Sequence, residues 1–276
     1  MRPQRADIAV PPLPSGVAWI GEEPRPIERL TARGPALVHF VDVGHLSSVR
    51  TLPYLAAWHE RYSRHGLTVL GVNSPRFAFT GDRSKLAAAA RRLELPFPLA
   101  ADPGFELWRA YAPPGWPSLF LWGRGGVLRW YHFGEGEYQA TEAEIRAELA
   151  AGGDESGLPE PLAPLRASDA PGARVVPPTP EVFPGGDPAT PLRAARGDGG
   201  LELPYEGAGA AATVDGEGVL EVGVDDEPTR RLEVSAPGVY ELADHDRHGS
   251  HTLRLRPSGG LELWCVAFAP GCETVR

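Results

Sequence analysis

The chain has 276 residues, which at about 150 residues per domain predicts two domains, each long enough to bury its own core. Apolar residues make up 42% and charged residues 23%, a globular composition that excludes wholesale disorder and fibrous repeats. The net charge of −9 has the wrong sign for neutralising phosphates, so nucleic acid is not an expected partner.

No stretch of about 18 apolar residues occurs, and no membrane span is expected. The opening MRPQRADIAVPPLPSG carries arginines without a signal-length apolar stretch behind them, so the expectation is a soluble cytoplasmic protein. Two cysteines, Cys265 and Cys272, are too few for a disulfide framework or a four-thiolate zinc site. No cofactor and no metal are expected.

In chain order, ALVHFVDV from Ala36 to Val43 is an apolar run rich in β-branched residues and predicts a buried strand. Ser47 and Ser48 can cap the helix that follows. Its apolar face is Leu52, Leu55, Trp58 and Tyr62, and it stops at His65-Gly66. Pro53 falls inside this pattern and should kink the helix without ending it. LTVLGVNS, Leu67 to Ser74, is a second strand, so the three elements imply a parallel pair with a right-handed crossover.

Asp82–Leu93 and Gly104–Tyr111 read as helices, and Ser118–Trp122 as a strand. The GRGG turn, Gly123 to Gly126, leads that strand into VLRWYHF as a hairpin partner, and Thr141–Ala150 forms a last amphipathic helix. Residues 152 to 200 then hold ten prolines and nine glycines, the composition of a linker. Beyond it VLEVGV, RRLEV, GVYEL, HTLRLR and LELWCVAF alternate apolar with polar residues between turns, which predicts a small antiparallel sandwich.

This order, with Trp116-Pro117 just before the SLFLW strand, is what a thioredoxin-like domain would give. The segments LPSGVAWIG, RTLPYLAAWHERY, GVNSPRFAF, LPFPLAAD, WRAYAPPGWPS and YHFGEGEYQATE resemble the redoxin branch of TlpA/DipZ-like thiol-disulfide oxidoreductases, from about Leu13 to Ala150. TPEVFPG, GVYEL and HTLRLRPSGGLELWCVAFAPG resemble the β-sandwich that follows the redoxin domain in that family. The resemblance implies an α/β thioredoxin-like domain over 1–152, a Pro/Gly-rich linker over 153–200 and a small all-β, jelly-roll-like sandwich over 201–276.

Aligned on RTLPYL, the family's CxxC pair falls on VGHLSSV. By that resemblance His45 stands where the attacking cysteine would be, Ser48 where the resolving one would be, and His39 where a buried acidic residue assists proton transfer. Pro117 would be cis and face the pair, with Trp116 flanking it. Phe77 and Phe79, in the loop after the second strand, project toward the same end of the sheet, where ligand clefts gather. Packing against the helix at Asp82 accounts for these two rings equally well.

Disulfide exchange needs a thiolate, which a helix N-terminus stabilises. A serine hydroxyl titrates too far above neutrality to gain from that field, and imidazole carries no sulfur. Cys265 and Cys272, six residues apart, match no redox motif. The leading expectation is a non-redox binding or scaffolding module that holds a peptide, protein or small-molecule ligand at the cis-proline groove. One alternative is an enzyme, a small-molecule transferase, isomerase or hydrolase, with His45 as base, Ser48 as nucleophile and His39 nearby. A second is a thiol-disulfide oxidoreductase that relies on a partner's cysteines.

One more cluster stands out. In DHDRHGSH, Asp244 to His251, three histidines recur at three-residue spacing. Such ligands can wrap a divalent ion, but a solvated hairpin loop between GVYEL and HTLRLR is the expected reading.

Overall fold

A computed structural model describes residues 1–4, 7–152, 157–193 and 200–273, the side chain of Asp246 excepted. Residues 153–156 and 194–199 of the expected linker lie outside the described residues. The chain divides into two units: Met1–Asp42, Ser47–Arg76 and Thr80–Leu165 form the first, and Val43–Leu46, Phe77–Phe79 and Arg166–Arg276 the second.

The first unit is built in chain order from β1 (Ala18–Ile20), α1 (Ile27–Thr31), β2 (Ala36–Val41), α2 (Leu46–Tyr62), β3 (Thr68–Asn73), α3 (Arg83–Arg92), β4 (Leu99–Ala101), α4 (Glu106–Tyr111), β5 (Ser118–Trp122), β6 (Leu128–Phe133) and α5 (Tyr138–Ala150). The sheet order is β1-β4-β3-β2-β5-β6. β2, β3 and β4 run parallel, while β5 is antiparallel to β2, β6 to β5 and β1 to β4. Three elements carried no sequence signal: β1 and β4, of three residues each, and α1, of five.

β2 is buried along its whole length, so its alternation sorts side chains between two covered faces. Ala36, Val38 and Phe40 join Leu70, Val72, Phe120 and Trp122 in a cluster that Ile27 of α1 and Leu107 and Tyr111 of α4 cover. Leu37, His39 and Val41 point the opposite way, toward α2, where Leu52, Leu55, Trp58 and Tyr62 are buried as their spacing predicts. Burying each such ring or branched chain contributes about 1.5–3 kcal/mol. Pro53 sits inside α2 on its exposed side and the helix continues past it. A short 3-10 turn, Ser63–His65, ends at Gly66, whose φ of 107° is the left-handed conformation that glycine adopts without steric cost. Gly71 allows β4 to approach, since a Cβ there would lie 2.7 Å from the Leu99 side chain.

The second unit contains β7 (Val175–Val176), β8 (Leu192–Arg193), β9 (Leu201–Asp215), β10 (Gly218–Val224), β11 (Arg230–Val234), β12 (Gly238–Pro257), β13 (Glu262–Ala269) and β14 (Gly271–Cys272). One six-stranded antiparallel sheet has the order β11-β10-β12-β9-β13-β8, and β14 pairs with β7. Its core runs along the two longest strands, with Tyr205, Ala210, Ala212 and Val214 from β9 meeting Leu242, Leu253 and Leu255 from β12. This is an all-β unit made chiefly of one curled sheet.

The histidine-rich run is not a hairpin loop. GVYEL and HTLRLR are two parts of the same strand, β12, and both pair with β9. The register shifts between Asp244 and Gly249, so the polar residues form a bulge in a long strand. A bulge leaves residues outside the ladder, which is why the run has a loop's composition.

Candidate functional site

In the first unit the C-terminal end of β2 and the first turns of α2 are joined by buried hydrogen bonds. Ser48 is completely buried, and its Oγ accepts from the Asp42 N–H at 3.2 Å. Thr51 Oγ donates to the Ser48 carbonyl at 2.6 Å, and the same oxygen lies 2.8 Å from His39 Nε2. With the Thr51 proton committed, its oxygen is left to accept, which assigns the Nε2–H tautomer to His39. The ring is sealed from water, and burial, with a smaller effect from His132, pulls its pKa down to about 3. His39 is therefore a neutral donor at physiological pH, and its buried Nδ1 meets no polar group among the described residues.

Asp42, which follows β2, is also fully buried. Its Oδ2 accepts from the Arg76 N–H at 2.5 Å and from Thr80 Oγ at 2.6 Å, tying the end of β2 to the segment after β3. The sequence reading passed over Asp42. Its signal was available as the one charge in an apolar run, VHFVDV, because a buried charge has to be hydrogen-bonded.

Trp116 is half-buried, and its indole N–H donates to the Ser74 carbonyl at 2.9 Å. Its ring lies against Trp108, with centroids 4.4 Å apart. Ser74 Oγ donates to Asp102 Oδ2 at 2.7 Å, and Asp102 accepts from the Leu107 and Trp108 amides at the start of α4. The position of Trp116 is thus fixed from β3 and α4 together. The Trp116–Pro117 peptide is cis, and Pro117 is buried, with its carbonyl accepting from Gly134 N–H at 2.8 Å.

The remaining candidates lie in the second unit. His45 is within Val43–Leu46, and its Nε2 is 3.6 Å from Glu181 Oε1, beyond hydrogen-bond length. Phe77 and Phe79 are buried, stacked at 6.1 Å, and packed with Trp264, Cys265 and Ala267. Their partner is Trp264, at centroid distances of 6.0 and 5.5 Å. The structure therefore links Ser48 to His39 through Thr51 and Trp116 to Ser74, whereas the two phenylalanines serve an apolar cluster. Among the described residues no group of three His, Cys, Asp or Glu side chains is placed to hold a metal ion.

No protein-family model matches the chain. It is 27% identical over 282 residues to protein DipZ of Mycobacterium bovis, an alignment covering 88% of this chain and 40% of DipZ. The chain thus spans less than half the length of that relative. It is 25% identical over 142 residues to the thiol-disulfide oxidoreductase YkuV of Bacillus subtilis, covering 51% of this chain and 94% of YkuV. A thiol-disulfide isomerase from Corynebacterium glutamicum superposes with a TM-score of 0.45 and 20% identity, over 51% of this chain and 97% of that one. The chain is thus similar in sequence to DipZ over most of its length and to the thiol-disulfide oxidoreductase YkuV over about half of it.

Proposed function

We propose that this chain is a thioredoxin-fold binding or scaffolding module that has given up dithiol chemistry and holds an extended peptide or similar ligand beside Trp116 and Pro117. The observation that carries this reading is where sulfur is found. The only cysteines are Cys265 and Cys272, both in the second unit, while the positions matched to the family's thiol pair hold His45 and Ser48. Ser48 supports it further, because its buried Oγ holds the Asp42 amide, a structural task that a hydroxyl performs without redox chemistry. Peptide capture needs backbone hydrogen bonds and an apolar rim, and Trp116 offers a fixed, half-buried ring of that kind.

Insulin-disulfide reduction by dithiothreitol tests the reading, with the natural chain run beside a His45→Cys, Ser48→Cys double variant. The natural chain should add nothing to the rate with dithiothreitol alone, and the double variant should accelerate it. Catalysis by the natural chain would overturn the proposal. Binding is read separately by titrating extended peptides while following the Trp116 indole resonance, which should shift on capture. An indole signal unmoved by every peptide would remove the groove from the proposal.

A further inference from the structure

Within the second unit, the bulge of β12 brings two imidazoles face to face. The rings of His245 and His251 are stacked with centroids 3.6 Å apart and planes 7° from parallel. Each is held by a different partner. His251 Nδ1 lies 2.8 Å from Asp225 Oδ2, and His245 Nε2 lies 2.8 Å from the Tyr205 hydroxyl. Tyr205 is itself buried, stacked on Phe268 at 4.5 Å. Tyr205, Asp225 and His251 line a cavity of about 370 Å³ together with Glu206 and Thr252.

The two imidazoles differ in what a proton would meet. A proton on His251 faces the Asp225 carboxylate, whose Oδ1 is also fixed by the Thr252 N–H at 2.7 Å. The hydrogen bond from His251, followed by that from Thr252, holds the Asp225 carboxyl below its usual range. A proton on His245 meets a phenol instead of a carboxylate, and lies one ring thickness from the charge on His251. We propose that the His245–His251 stack is a pH-sensitive catch that accommodates one proton and not two, so that mild acid drives the rings apart and loosens the β12 bulge with the cavity wall it forms.

The surrounding charges are consistent with this. β9 contributes Tyr205 and Glu206, the turn after β10 contributes Asp225 and Glu227, β11 contributes Arg230, and β12 itself carries Asp244, His248 and Arg254. Burial and then the charge of His251 lower the His245 pKa, against the opposing pull of Asp225, Asp244 and Glu227. Arg230 and Arg254 donate to backbone carbonyls, of Leu242 and Asp225 respectively, and keep their positive charge there, which adds to the cost of a second proton on the stack. The strand is poorly laced at His245, because the ladder to β9 skips from Asp244 to Gly249, whereas His251 is in register with Tyr205, so His245 can move away from the stack while breaking few backbone bonds.

The test is an NMR titration of the histidine ring protons of the full chain from pH 8 to 4.5, with amide exchange followed over residues 243–251. The expected result is that protection of 243–251 falls at least fivefold over the step in which the His245 ring takes up its proton. His245→Phe keeps a flat ring but cannot be charged, and should retain protection through that step. His245→Gln, which can still bond Tyr205, gives the same readout should the phenylalanine variant fail to fold. Protection that is unchanged as His245 takes up its proton, or that is lost at the same pH in the uncharged variants, overturns the proposal.

Discussion

His39 and Thr51 meet at 2.8 Å between Nε2 and Oγ, joining the middle of β2 to the second turn of α2. The contact continues through Thr51 Oγ to the Ser48 carbonyl, while Ser48 Oγ reaches back to the Asp42 amide. The N-terminal turns of α2 are thereby fixed to β2 by hydrogen bonds at two points, in addition to the apolar packing of the same helix. Buried bonds of this kind contribute about 1 kcal/mol each, and leaving one partner unmatched costs more.

His39 makes stability depend on pH in a calculable direction. Its folded pKa of about 3 lies below the ordinary value of 6.5, so the unfolded chain binds a proton that the folded one refuses. The contribution of His39 is fully present above pH 6.5 and is lost progressively as pH falls from 6.5 toward 3. The limiting slope for one proton is about 1.4 kcal/mol per pH unit. Urea midpoints from pH 7.5 to 4.5 should fall more steeply for the natural chain than for His39→Gln. Parallel profiles would mean that the ring protonates in the folded state.

Ser48→Ala removes the acceptor of a buried amide and should cost about 1–2 kcal/mol in chemical denaturation. Capture of a peptide beside Trp116 should be unchanged. If Ser48 were instead a nucleophile, its loss would abolish an activity with little change in the urea midpoint, and that split separates the two roles.

The parts of the fold legible in the sequence are those with long, one-signed signals. ALVHFVDV and LTVLGVNS became the parallel pair β2 and β3, and SLFLW with VLRWYHF became the β5–β6 hairpin. β1, β4 and α1 went unread because three to five residues span too little of a period to register, and prolines flank each of them in the sequence. The DHDRHGSH run was misread as a turn for a different reason. Composition reports solvent and polarity, whereas a bulge is defined by register against β9, a strand some forty residues earlier in the chain. At the site, residue identity revealed the absence of sulfur at positions 45 and 48. The roles of Asp42 and Thr51 depend on which buried donors face them, and only coordinates supply that.

Asp42 anchors two donors from beyond β3, Arg76 N–H and Thr80 O–H. Asp42→Ala would take this buried acceptor from both, at about 1–3 kcal/mol for each. The summed loss, about 2–6 kcal/mol, should appear in the urea midpoint. Amide exchange should rise first at residue 76. A variant as stable as the natural chain would show that water or another side chain takes over both bonds.

Glu142 plays a similar part on α5. The carboxylate is buried, accepts from Tyr62 O–H at 2.6 Å, and takes the Leu162 N–H on both oxygens at 3.0 and 2.9 Å. Burial, followed by the hydrogen bond to Glu142, raises the Tyr62 pKa, so at neutral pH the phenol remains a donor. The Tyr54 hydroxyl oxygen accepts from the Leu165 N–H at 2.8 Å, and together these contacts hold the segment ending at Leu165 against α2 and α5. Glu142→Ala strands the Tyr62 hydroxyl and the Leu162 amide and should cost about 2–4 kcal/mol. Arg146 and Arg61 also donate to the Pro159 and Glu160 carbonyls, and losing the Glu142 contact should expose the chain around Arg166 before the sheet unfolds. Limited trypsin digestion should then cut after Arg166 several times faster in the variant, and equal rates would show that Tyr54, Arg61 and Arg146 are enough to keep the segment in place.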